Sequence, residues 1–322
     1  YNGRVWERYT DVQVQGIVQR LVGEVLEKEV RDIPESQEEE KKLALKFLSR
    51  CSRSFAKTVT NVYASIKRHP GLFAISSDFD KNLSRFAAGN GTVDLTTGDW
   101  LPPDPEQMIS RRATARYYPD AQCPRWEKAV LDMMEGDEGM VRYLQRLVGC
   151  ALLGGTTEEI MVFLVGNGCN GKSLFINTLC KAFGEYARSV PPKLLVSTGK
   201  QVDSGVEAAS PVLLSLKGAR FACCSETPLG AKLSESLVKQ LTGHDQITAR
   251  GMYAREAITF TPSWLLFMAT NHMPVIRGTD RGIWRRIRIV HFRVDFETDP
   301  RYCLDPMLSR ELEKELDGIL TW

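Results

Sequence analysis

The run Gly166-Asn167-Gly168-Cys169-Asn170-Gly171-Lys172-Ser173 fits the pattern G-x-x-x-x-G-K-[ST]. Ile160-Met161-Val162-Phe163-Leu164-Val165 precedes it and reads as a parallel strand buried on both faces. Leu174 to Phe183 follows and reads as a helix, with Gly184 where that helix should stop. Strand, loop and helix in this order are what a phosphate cradle needs. The glycines let successive backbone N–H groups curl round phosphate oxygens, and the first helical turn adds partial positive charge. Gly166, Asn167, Gly168, Cys169, Asn170, Gly171, Lys172, Ser173 and Leu174 are therefore the expected nucleotide-binding segment. Lys172 is spaced to reach the β- and γ-phosphates, and the Ser173 hydroxyl to hold Mg²⁺. The fold class expected is α/β, a P-loop NTPase core whose central parallel sheet is flanked by helices.

Outward from this loop, the bulk properties narrow the field. A chain of 322 residues can bury a large core and form two domains. With 42 basic and 40 acidic residues the net charge is only +2, so any nucleic-acid site must be a local patch. The eight cysteines contain no C-x-x-C pair, and four histidines complete no zinc pattern. Cys169 lies inside the loop, where a disulfide would be awkward, so reduced thiols and a cytoplasmic setting are expected. No apolar run is long enough to span a membrane, and no leader peptide is evident. Opening at Tyr1 without Met, the chain is expected to be a piece of something longer.

Before the loop, residues 1–70 read as three helices. Ile17, Val18, Leu21, Val22 and Val25 recur at helical spacing, and Glu38-Glu39-Glu40 reads as a solvated face. A short strand is expected at Leu72-Phe73-Ala74-Ile75, and two more around Thr97-Gly98-Asp99. Arg111, Arg112, Arg116, Tyr117 and Tyr118 mix basic and aromatic residues as single-strand sites do, although a strand packing its tyrosines inward would look the same. Helices are expected again from Pro124 and from an Asp137 cap to Leu153. The boundaries expected are a helical accessory domain with a small β element over 1–122, the nucleotide-binding domain over 123–296, and a helical segment over 297–322.

After the loop, a second apolar strand should end in a carboxylate that activates water. Ala219 to Ser225 followed by Glu226 fits, and Glu226 is the acid at its end. Ser225 stands where many NTPases carry a first acid, so Mg²⁺ is expected on Ser173 and the phosphates, with Glu226 beside them. A third apolar run, Trp264 to Ala269, ends in Thr270-Asn271. An amide at that sheet edge can orient water at the γ-phosphate. Next, Arg285 and Arg286 open a strand that alternates Ile287 and Ile289 with Arg286 and Arg288. A basic cluster there can supply an arginine finger.

These motifs, in this order, resemble the superfamily 3 helicases of the AAA+ class. The supporting residues include Lys239-Gln240-Leu241-Thr242-Gly243-His244-Asp245 and Ala269-Thr270-Asn271-His272-Met273-Pro274. The strongest likeness is to the helicase half of phage and plasmid primase–helicases, with poxvirus relatives. Asp78-Phe79-Asp80, Asn90 to Gly98 and Tyr118 to Pro124 are similar to the domain that precedes the helicase there. The resemblance implies a hexameric ring that hydrolyses ATP and moves 3′ to 5′ on single-stranded or forked DNA. It implies Glu226 as the catalytic acid, Asn271 as the sensor, and Arg286, with Arg285 second, as an arginine acting across a subunit boundary. It also implies a DNA-gripping hairpin over Gln246–Phe260, where Arg250, Tyr253 and Arg255 are the candidate contacts. An upstream primase–polymerase domain and a phage- or plasmid-borne gene in a bacterial or archaeal cell are implied too. The alternative is a nucleotide-gated origin-assembly or loading ATPase without processive unwinding.

Overall fold

The computed structural model describes residues 3–7, 10–34, 38–53, 55–66, 78–154, 158–197, 211–251 and 257–322. They form two units, one of residues 6–79 and one of residues 1–5 and 80–322. The expected strand at 72–75 lies outside the described residues.

The smaller unit holds α1 (Asp11–Arg31), α2 (Glu38–Arg53) and α3 (Phe55–Ile66). Thr10 opens α1 with a reciprocal cap: its hydroxyl accepts from the Gln13 amide, and the Gln13 side chain accepts from the Thr10 amide. Val18, Val59 and Tyr63 are buried. Leu21 and Val25 are exposed, so the inward face of α1 is narrower than the apolar spacing suggested.

The larger unit begins with an antiparallel sheet of β1 (Arg85–Ala88), β2 (Gly91–Asp94) and β3 (Trp100–Leu101). The sequence pointed to the last two strands. β1 joins them through Gly89-Asn90, whose amide side chain both donates to and accepts from the backbone of Tyr117 at 2.9 Å. There follow α4 (Pro124–Met133), α5 (Glu138–Leu152), β4 (Met161–Val165), α6 (Lys172–Phe183), β5 (Ala187–Ser189), α7 (Pro192–Leu195), β6 (Val196–Ser197), α8 (Pro211–Ser215), β7 (Phe221–Ser225), β8 (Lys232–Leu233), α9 (Glu235–Thr242), β9 (Ile247–Ala249), β10 (Ile258–Phe260), β11 (Leu265–Thr270), α10 (Arg281–Trp284), β12 (Ile287–His291), α11 (Leu308–Leu312) and α12 (Leu316–Thr321). Asp137 caps α5 as expected, accepting from the Met140 amide at 3.0 Å.

Five strands make the central parallel sheet in the order β12-β4-β11-β7-β5. Both faces are covered, which is why these strands read as unbroken apolar runs. Val162, Leu164, Phe221, Cys223 and Phe267 face one core with α4, α5, α6, α11 and α12. Met161, Phe163, Ala222, Cys224 and Met268 alternate onto the other, under α7 to α10. β12 is an edge strand, and there the alternation holds only in part: Ile287 is buried but Ile289 is 43% exposed.

The structure moves two of the expected boundaries. Phe86, Ala88, Val93, Ala113 and Ala115 share one core with Phe183, Tyr186 and Phe221, so residues 80–122 belong to the larger unit. Arg220 ties them in. Its buried guanidinium lies 5.5 Å from the Phe86 ring centroid and 5.0 Å from that of Tyr186, two rings that stack on each other at 4.5 Å, and it donates to the carbonyls of Arg85 and Leu152. At the other end, Leu312, Ile319 and Leu320 enter the same core, so 297–322 is no appendage. Nor is 111–118 a strand. Arg111 donates to the carbonyls of Glu185 and Lys217, and the Tyr117 hydroxyl to that of Gly98, so internal contacts hold these two.

Trp126 has no exposed surface; it stacks on Phe175 at 5.3 Å and meets Trp322 edge-on at 5.6 Å. Trp126→Ala should cost about 3–5 kcal/mol, read as a lower urea midpoint at unchanged slope. A midpoint equal to that of the unmutated protein would contradict this packing.

Candidate functional site

Register brings the site together. β11 runs between β4 and β7, with Thr270 opposite Val165 and Ala269 opposite Ser225. Gly166, Asn271 and Glu226 therefore leave the sheet at one edge, the carboxyl ends of parallel strands, where open α/β sheets hold ligands. A cavity of about 690 Å³ opens there. Residues 168–174, Ser225, Glu226 and Asn271 line it. Gly166 and Asn167 do not line it.

The loop is braced from behind. Gly171 caps α6 with φ +85°, and a Cβ there would lie 2.7 Å from the Met133 methyl. A Cβ on Gly166 would strike the Phe292 carbonyl and the Asn170 amide. Only glycine fits either place. Lys172 is buried, and its ammonium donates at 2.7 Å to both the Gly166 carbonyl and Asn170 Oδ1. Burial lowers its pKa. Asn170 in turn donates to the Phe292 carbonyl at 3.3 Å, so one side chain links loop, lysine and the end of β12. Ser173 is exposed at the start of α6.

Glu226 sits in the left-handed region at φ +58°, uncommon for a side chain with a Cβ and often found at functional positions. Its amide still donates to the Ala269 carbonyl at 2.9 Å, so the strain lies at the strand exit. Behind it, the hydroxyls of Thr227 and Thr270 are 2.6 Å apart, and both reach the His272 carbonyl. Both threonines are buried, whereas Glu226 and Asn271 are exposed toward the cavity. The buried hydroxyls thus hold two neighbouring strand exits at one spacing. Among the described residues, no group of three or more His, Cys, Asp or Glu could hold a metal. The donor set fits Mg²⁺ only as an ion shared with phosphate, through Ser173 and Glu226.

The two expected arginines differ in their surroundings. Arg286 is buried in its own chain, donating to the Gly282 carbonyl at 2.7 Å and to Glu159 at 3.1 Å. Extending this side chain away from its own chain would break both bonds. Arg285 is the exposed member, and it also pairs with Glu159. The expected hairpin is present as β9 paired antiparallel with β10, Ala249 opposite Ile258. Arg250 is exposed beyond β9, while Tyr253 and Arg255 lie outside the described residues. Lys239 on α9 bonds Asp280, the cap of α10, at 3.0 Å, and Glu235 accepts from the amides of Arg277 and Gly278. α9 therefore anchors the segment that carries the arginines.

Residues 1–135 match the family described as D5 N terminal like. The chain is similar to Putative helicase L207/L206 of Acanthamoeba polyphaga mimivirus, 30% identical over 68% of this chain and 23% of that protein. It is similar to Putative primase C962R of African swine fever virus, 24% identical over 74% of this chain and 24% of that protein. The apo structure of the NrS-1 C terminal region aligns at a TM-score of 0.48 and 13% identity, over 65% of this chain and 47% of that one. The family match over residues 1–135 and the viral relatives make the chain similar to primase–helicase-related proteins. It spans about a quarter of the length of the curated relatives it matches. No helix among the described residues is long and apolar enough to cross a membrane.

Glu159 was missed by sequence reasoning, because one carboxylate before an apolar strand carries no local signal. It holds Arg285, Arg286 and His244 together. Glu159→Ala should cost about 1–3 kcal/mol, since it strips the buried Arg286 guanidinium of its charged acceptor and leaves only the Gly282 carbonyl. Arg285→Ala should cost under about 1 kcal/mol, as exposed pairs do. Urea unfolding of the two variants checks the order, and equal losses would contradict it.

Proposed function

We propose that the protein is the ATP-hydrolysing helicase part of a longer replication protein, acting as a ring, most simply a hexamer, on single-stranded or forked DNA. The observation that supports this reading is the convergence of Lys172, Ser173, Glu226 and Asn271 on one cavity at the sheet's carboxyl edge. In this reading the amides of residues 168–173 and Lys172 hold the β- and γ-phosphates of ATP. To do so, Lys172 exchanges its bonds to Gly166 and Asn170 for phosphate oxygens. Mg²⁺ held by Ser173 and the phosphates, with Glu226 nearby, would offset the negative charge that develops on them. Glu226 accepts a proton from the attacking water while Asn271 orients that water. The bond between the γ-phosphorus and the bridging oxygen breaks, leaving ADP and phosphate.

Of the two arginines, Arg285 is the one we assign to a neighbouring subunit's nucleotide, with Arg286 anchoring it through Glu159. Arg250, with Tyr253 and Arg255 in the hairpin tip, is assigned to the DNA backbone and bases. With this reading go replication of a viral, phage or plasmid genome in the host cytoplasm, 3′ to 5′ movement, and a primase–polymerase domain elsewhere in a longer chain; relatives named putative helicase and putative primase support the helicase reading itself.

Single-stranded DNA should raise ATP turnover several-fold, and Lys172→Ala should abolish both turnover and strand separation on a fork. Turnover indifferent to DNA, with no strand separation by the assembled protein, would contradict the proposal. Mixing Arg285→Ala with Glu226→Gln subunits should restore part of the activity that each lacks alone. No recovery in the mixture would remove Arg285 from this role.

A further inference from the structure

The cavity is lined by more than the phosphate loop. α4, through Ala129 and Met133, and Phe296, Tyr302, Leu304 and Leu308 of the segment after β12 line it as well. This segment is tied down at three points. The Phe296 amide donates to the Cys169 carbonyl at 2.8 Å, which fixes it to the phosphate loop itself. Arg301 pairs with Asp299 at 2.7 Å and reaches Glu135, in the turn after α4, at 3.5 Å. Arg125, at the start of α4, pairs with Asp305 at 3.0 Å and with Glu311. Ion pairs thus clamp residues 301–305 at both ends of α4. Within the clamp, the Tyr302 ring is half-buried, with Phe296 edge-on at 5.7 Å and the Arg301 guanidinium 5.4 Å from its centroid. The charged groups around this end already have partners: Lys128 bonds Asp132 at 2.7 Å, and Asp305 is held by Arg125. Among these paired charges, Met133, Phe296, Tyr302 and Leu308 supply an apolar and aromatic stretch of the lining.

We propose that this recess is the nucleobase subsite, with Tyr302 as its stacking face and Met133, Phe296 and Leu308 closing round the base. The inference rests on the reading of residues 166–174 as a triphosphate cradle. A triphosphate bound there leaves its nucleoside in the same cavity, and the recess is the part whose walls suit a flat aromatic ring. Recognition is by stacking rather than by the base edge, because the charged side chains nearby are paired to one another.

Affinities of the intact chain for Mg²⁺–ATP and Mg²⁺–tripolyphosphate test this directly. ATP should bind at least about tenfold more tightly than tripolyphosphate, the scale of one base–aromatic stack. Tyr302→Ala should weaken ATP about tenfold and leave tripolyphosphate unchanged, while Tyr302→Phe should match the unmutated protein on both. Equal affinity of the unmutated chain for the two ligands would overturn the subsite, and that arm needs no variant. So would a Tyr302→Ala loss shared equally by both ligands, or no loss on either. An unmutated chain that binds neither ligand would instead sink the triphosphate cradle, and the subsite with it.

Discussion

Parallel hydrogen bonding of β11 to β4 on one side and β7 on the other is the constraint from which the site follows. The pairings Thr270 with Val165 and Ala269 with Ser225 set where three chain segments leave the sheet. A one-residue slip of β11 would turn Phe267 and Met268 to the wrong cores and displace Asn271 from the edge. Because both faces are packed, that slip is strongly opposed. The positions of Lys172, Glu226 and Asn271 are thus a consequence of core packing several residues away.

Around that edge, small devices hold the loops that the sheet alone would leave free. Asn170 links Lys172 to the end of β12. The Thr227 and Thr270 hydroxyls couple the exits of β7 and β11. The Phe296 amide fastens the C-terminal segment to the phosphate loop. Each is a polar contact within one unit, and all three lie around the same cavity. The hairpin β9–β10 and the arginine segment both adjoin α9, through chain continuity on one side and Glu235 and Lys239 on the other.

Much of this was legible in the sequence, and the reasons are physical. The strand–loop–helix around Lys172 has a motif whose glycines answer to actual clashes, at Gly166 and Gly171. The strands ending at Ser225 and Thr270 are apolar throughout because both faces are buried. What escaped depends on long-range packing. Residues 80–122 read as a separate element, yet Phe86 and Val93 share the sheet's core, and nothing local announces it. Arg286 looked as free as Arg285 because a strand start gives no sign of which side chain Glu159 will hold. The segment 297–322 read as a helical segment separate from the nucleotide-binding domain, although Tyr302 and Leu308 line the cavity. Its tethers join residues more than a hundred positions apart, such as Cys169 and Phe296.

The most direct test of the central claim is a structure of the protein with Mg²⁺ and a non-hydrolysable ATP analogue. The account predicts that Lys172 Nζ leaves the Gly166 carbonyl and Asn170 and lies about 3 Å from phosphate oxygens, hydrogen-bond distance, with Glu226 and Asn271 facing the terminal phosphate. A nucleotide bound away from residues 166–174, or a Lys172 that keeps both of its present bonds with nucleotide in the cavity, would contradict it.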